Sequence, residues 1–429
     1  MSGRVSAIGA QARSTTTALR TWLIKDSRSS LRRRTGRIQL LPAVLLALAA
    51  GLGVAVAAYG FLRWITPVDV SKTAAEIDVT RIALTVVAGV GGVVALVIAY
   101  RRQRDLEQSR FVERFGAAAA QLGATDVAVR IAGVYAMAGV ADESEGLRRQ
   151  QCIDVLCGYL RLPYDTEHGA SGRTKFVVKA PRIDHGRVRG ETEEHIEYRQ
   201  NDREVRATIL RVIANRLRPP TEYSWSTSDF DFRNAYLEGA DFSNATFAGS
   251  AEFSRATFAS IAEFGDTTFT RKAQFGGATF TGGAWFQNAT FTGGAWFHDA
   301  TFTGDVQFGE ATFTRTAEFG DATFTGKIWF HYVTFAHSAW FNGATFTCDV
   351  SFKGSAFTGD VSFHHATFTS DARFMKVSFG SGTVSFVAPK QWGPPAPVFD
   401  WDQDLSQKPA NVEPQDWPPT VAVPTAPAS

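Results

Sequence analysis

The chain has 429 residues, 45% of them apolar and 20% charged, with a formal net charge of only +2. So small a net charge leaves no electrostatic footprint for nucleic acid, and three cysteines cannot build a disulfide framework. The averages conceal regions of different character.

The first 37 residues form a basic arm with nine Lys and Arg, including "RRRTGR" at Arg32 to Arg37. Residues 38–62 and 82–100 then carry no charge. Stretches of about 20 apolar residues are long enough to cross a bilayer, so both are predicted as transmembrane helices. The 63–81 loop has three basic residues, against nine before the first stretch and "RRQR" at Arg101 to Arg104 after the second. That imbalance predicts an external loop with both termini cytoplasmic. The lipid bilayer is therefore an expected partner, and the arm suits anionic headgroups. "AGVGG" at Ala88 to Gly92 lies inside an apolar stretch and reads as close helix packing, with no strand before it to make a nucleotide loop.

Residues 101–220 show helical periodicity. Phe111, Phe115, Ala119 and Leu122 share one face, then Val127, Ile131, Val134 and Ala138 follow with Thr125 or Asp126 as cap. A helix over Arg148 to Leu160 buries Cys152, Val155, Leu156 and Tyr159, which makes the cysteine pair core rather than metal ligand. A last one, Asp202 to Leu217, buries Val205, Ile209, Val212 and Ile213. The polar insertion at 163–201 reads as a loop with a short strand at "KFVVK". Its His168, His185 and His195 lack the spacing of helical zinc ligands.

From residue 229 to 387 the chain repeats itself. Phenylalanine recurs every eleven residues from Phe242 to Phe374, and a second series does so from Phe247 to Phe379. A small residue, usually Ala, stands two positions before most of them. Neither a helix of 3.6 residues per turn nor one long strand buries every ring. Short sides of five or six residues do, with the small residue and Phe inward, two polar residues outward, and Gly, Asn or Asp at the corners.

These residues resemble the pentapeptide-repeat family, most clearly in "AYLEGADFSNATFAG" at Ala235 to Gly249. The resemblance implies a right-handed quadrilateral β-helix. The extra residue in every second side makes the coil 22 residues rather than 20, with bulged corners expected. "RFGAAAAQLGATDVAVRIAGVYAMAGVADES" and "CIDVLCGYLR" are similar to the segment preceding the repeats in membrane-anchored bacterial members. The whole is thus expected to be an α+β protein of the bacterial inner membrane: two spanning helices, a small cytoplasmic helical domain, then the solenoid. Phe280, Phe286, Phe291, Phe297, Phe302 and Phe308 are the expected core ladder.

Positions 22 apart fall on one face, which pairs Trp285 with Trp329 and Trp296 with Trp340. Exposed tryptophan is enriched at interfaces, so these four are the candidate contacts for an unidentified protein partner. Thr flanks Phe on both sides in "TFT", forming ladders like those of ice-binding β-solenoids. Some members of the family imitate DNA to regulate gyrase. Here Asp229 to Lys376 holds 15 acidic and 9 basic residues, a mild net of −6. No catalytic constellation, metal site, cofactor motif, small-molecule site or nucleic-acid motif stands out, so the expectation is a non-catalytic scaffold. DNA mimicry or an enzyme or metal site in 163–201 are the alternatives. Residues 388–429 are proline-rich and are expected to be a disordered tail, in which Trp392, Trp401 and Trp417 suit a cap on the last coil.

Overall fold

The computed structural model describes residues 73–164, 175–184, 187–197 and 202–422, with isolated helical positions between 53 and 65. The chain divides into two compact units, residues 1–110 and 111–429.

A 50-residue helix, α1 (Thr73–Leu122), runs through the boundary. No helix among the described residues is long and apolar enough to cross a membrane. That corrects the expectation of two spanning helices, and with it the multi-pass inner-membrane placement. The expected span at 38–62 lies almost wholly outside the described residues. The one at 82–100 is part of α1, in which charged residues flank it on both sides, Asp78 and Arg81 before it and Arg101 and Arg102 after it.

The second unit begins with a helical cap. α2 (Val127–Asp142) starts at Asp126, whose carboxylate accepts from the amides of Ala128 and Val129. It packs with α3 (Gly146–Leu160) and α4 (Asp202–Leu217) through Val134, Met137, Ile153, Leu156, Ile209 and Ile213, all fully buried. Cys152 and Cys157 belong to this core, and burial pushes their thiols up to about 11 and about 12. The insertion forms an antiparallel hairpin of β1 (Lys175–Asp184) and β2 (Arg187–Glu197), with Val177 opposite His195. Two long strands thus stand where a loop with one short strand was expected. His168 and His185 lie outside the described residues.

Arginines hold this cap together and join it to the first coil. Arg130 pairs with Asp202 at 2.7 Å. Arg206 donates to the carbonyls of Tyr159, Leu160 and Tyr236. Arg218 donates to those of Ser243 and Asp241. Trp225 is fully buried and donates to Asp142, which Arg216 also holds. Arg206 and Arg218 thus answer carbonyls of the first coil, those of Tyr236, Asp241 and Ser243.

The rest is a right-handed β-solenoid from residue 230 to 399, closed by one more strand at Val412–Glu413. Most sides are two-residue strands, and the sides form four parallel sheets. In chain order, face 1 carries Ala251–Glu252, Ala273–Gln274 and Ala295–Trp296, and face 2 carries Thr257–Phe258 and Thr279–Phe280. Face 3 carries Ala262–Glu263 and Ala284–Trp285, and face 4 carries Thr268–Phe269 and Thr290–Phe291. Faces 1 and 3 are therefore opposite. Strand partners such as Ala273 and Ala295 lie 22 residues apart, the expected coil.

Every rung places four rings inside. Phe258, Phe280, Phe302 and Phe324 stack with centroids 4.5, 4.6 and 4.9 Å apart and planes within 5°. Rings from opposite faces meet edge-on, as at Phe275 and Phe286 (5.7 Å, 88°). The six expected ladder residues from Phe280 to Phe308 are 0% exposed.

The extra residue is absorbed by two kinds of corner. Corners after the shorter side put one residue in the left-handed region, as at Asn288 (φ 57°) and Asp299 (φ 57°). Arg255, Glu310, Tyr332, His365 and Lys376 adopt it too, beyond the Gly, Asn and Asp anticipated. Corners after the longer side instead press coil on coil: a Cβ on Gly326 would lie 2.1 Å from the Gly304 carbonyl oxygen.

The proline-rich segment is ordered through residue 422, contrary to the expected disordered tail. Trp392 takes the place of phenylalanine above Phe368, Phe399 stacks on Phe374, and Trp401 stands beside Phe379. Trp417 closes the end against Phe386, Trp392, Phe399 and Trp401 at 5.0 to 5.9 Å.

Phe302→Ala opens a void in the middle of the stack and should cost about 3–5 kcal/mol in urea unfolding, while Trp417→Ala should act mainly on the last coil. Hydrogen exchange localises the second effect; equal loss of protection in all coils would contradict it.

Candidate functional site

With the interior filled, the outward positions of the four faces are where the solenoid meets other molecules. Faces 2 and 4 present threonine. The second Thr of each "TFT" is committed internally: Thr281, Thr292, Thr303 and Thr314 each donate to the carbonyl of a Phe in the preceding coil at 3.1 Å. The first Thr of the triplets forms the outward ladders, Thr279, Thr301 and Thr323 on face 2 and Thr290 and Thr312 on face 4. Half of the apparent hydroxyl array is thus coil-to-coil bonding.

Faces 1 and 3 carry the tryptophans. Face 3 reads Glu263, Trp285, Gln307, Trp329, Ser351 and Arg373 in successive rungs. Face 1 reads Glu252, Gln274, Trp296, Glu318, Trp340 and Ser362. Each pair stands two rungs apart, roughly 10 Å at the spacing of paired strands. All four indoles are half-buried. Trp296 lies down over Gly294, where a Cβ would come within 2.2 Å of the ring, and Lys272 sits 5.0 Å above its centroid. Trp285 likewise approaches Gly283.

The solenoid is a pentapeptide-repeat domain. The decisive observation is the stack of four-sided coils in register, together with a match of residues 232–271, 264–312 and 308–356 to the family model described as pentapeptide repeats (9 copies). No curated protein and no solved structure matches the chain.

On the pentapeptide-repeat faces, electrostatics concentrate at three places. Glu318 sits between Trp296 and Trp340 on adjacent rungs, and burial raises its pKa above the ordinary value against a small opposing pull from His298. Near the helical cap, a cleft of about 620 Å³ is lined by Arg161, Arg233, Arg255 and His298, but Asp231 already holds Arg161 and Arg233. On face 3, a second cleft of about 610 Å³ has Trp329, His331 and Ser351 in its floor and Lys327, Lys353, Arg373 and Lys376 around it.

The histidines do not converge. His298 and His364 stand on one corner three rungs apart, and His331 is on the opposite corner, bonded to Ser351 at 2.9 Å. Among the described residues no three His, Cys, Asp or Glu side chains group as metal ligands. Reading the tryptophans as the whole of the candidate surface missed the basic rim beside Trp329. Its signal was present in the 22-residue columns, where Ser351 stands between Trp329 and Arg373.

Because the folded pKa of Glu318 is raised, its contribution to stability is full below the ordinary carboxylate range and is lost as pH rises through the folded value. Glu318→Gln should therefore stabilise the solenoid at neutral pH by about 0.5 kcal/mol or less, with the gain gone near about pH 3.5. Thermal melts at both pH values check this; a gain that persists in acid would refute the burial argument.

Proposed function

We propose that this chain is a non-catalytic scaffold for protein-protein interaction, with the solenoid holding side chains at fixed spacing for an unidentified protein partner. The observation that carries the reading is the pairing of half-buried tryptophans on two opposite faces of a stack whose interior is closed. Tryptophan gives a large contact area for little conformational entropy, and a rigid backbone reduces the ordering cost of association. Imitation of duplex DNA is less well supported, because the acidic positions of face 1 are interrupted by Gln274, Trp296, Trp340 and Ser362 and form no continuous row.

The test is crosslinking with mass spectrometry in cells, comparing wild type with a variant in which Trp285, Trp296, Trp329 and Trp340 are all serine. Partners that vanish in a variant whose circular dichroism is unchanged support the scaffold. An unchanged partner set removes the tryptophans from it.

A further inference from the structure

We infer that the face 3 cleft beside Trp329 is a docking groove for an acidic, extended peptide segment of a partner protein. The inference rests on the scaffold reading and names the partner's chemistry at one of its faces.

The groove follows from a contrast in side-chain size. Along face 3 the outward residues of three successive rungs are Trp329, Ser351 and Arg373. The small Ser351 leaves a trough one rung wide between an indole and a guanidinium. Neighbouring strands are about 4.8 Å apart, so the trough has the width of one added extended chain. Its floor is neutral, with Ile328 and Val350 buried beneath Ser351. His331 bonds Ser351, with its pKa lowered by burial and then by the charge of Lys353.

The rim is cationic, and its lysines are not ion-paired among the described residues. Lys327, Lys353, Arg373 and Lys376 face two carboxylates, Asp349 and Asp371. Asp371 is engaged by Arg373 at 3.0 Å, and Asp349 accepts from the Ser370 hydroxyl at 2.8 Å. Among the described residues the ammonium groups of the three lysines make no ion pair. A surplus of positive charge around an aromatic floor is complementary to carboxylates carried on a segment with apolar stems. The polarity is also local. Toward the helical cap, face 3 and its corners bear Glu263, Asp266, Asp305 and Glu310, so an acidic segment is attracted to one end and repelled from the other.

A nucleic-acid strand fits less well. It asks for successive stacking platforms and an unbroken basic track, whereas here one indole is followed by Ser351, and Asp349 and Asp371 interrupt the track.

The test is fluorescence anisotropy on the full chain with a fluorescein-labelled octaglutamate peptide, with octathymidylate as competing probe. Lys353→Glu with Arg373→Glu should weaken peptide binding about tenfold. Trp329→Phe should weaken it several-fold. Reversal of Arg271 and Arg315, equally exposed but on another corner, should leave it unchanged. The inference is overturned if octaglutamate does not bind, if the Arg271/Arg315 reversal weakens it equally, or if octathymidylate binds more tightly. All substituted charges are exposed, and an unchanged melting temperature confirms the fold of each variant. Failure here with crosslinked partners still lost in the four-tryptophan variant leaves the scaffold standing; peptide binding with an unchanged partner set would sink the scaffold's tryptophans but not the groove.

Discussion

One phenyl ring per side, stacked on the ring of the next coil, is the constraint from which the rest of the solenoid follows. Face-to-face ring spacings of 4.5 to 4.9 Å along the Phe258 to Phe324 column match the separation of hydrogen-bonded strands. Backbone pairing and ring packing are thus satisfied by the same rise. Four inward rings leave room only for Ala, Val or another small residue beside each, so the pattern cannot relax without opening voids. The second threonine of each "TFT" strengthens the same register by bonding to the coil before it. Everything outward is consequently free to vary, and that is where this chain acquires individuality.

Much of the solenoid was legible because its rule is strictly periodic: two phenylalanine series with an eleven-residue step demand a 22-residue coil if all rings are to be inside. A cap at Thr125 or Asp126 and the apolar face of α4 were legible for similar reasons, since each follows from a local spacing. Arg130 and Arg206 were not. Hydrophobic periodicity assigns no role to a charged residue on a buried face, and their partners, Asp202 and the carbonyls of Leu160 and Tyr236, are distant in sequence.

Composition misled in two places. Proline content suggested disorder after residue 387, yet proline does not prevent a chain from continuing a coil when aromatic residues arrive at the correct intervals, as Trp392, Phe399 and Trp401 do. Absence of charge suggested two membrane spans, yet no helix among the described residues is long and apolar enough for one. The hairpin in the insertion escaped because a two-stranded ribbon is defined by backbone pairing, which leaves a weak hydrophobic signature. The groove beside Trp329 escaped because it arises from a small residue between two large ones that are neighbours only after the chain is wound.

The two ends of the stack are closed by different means, arginines reaching from the helical cap at one and the Trp417 plug at the other. Neither closure depends on how many coils lie between. Duplication or loss of a 22-residue unit would therefore leave both ends intact and change the separation of the helical cap from the plug by about 4.8 Å per coil. The molecule behaves as a graduated ruler: evolution can set the distance between two terminal fixtures in discrete steps, and each added step lengthens each of the four faces by one rung without altering the core rule.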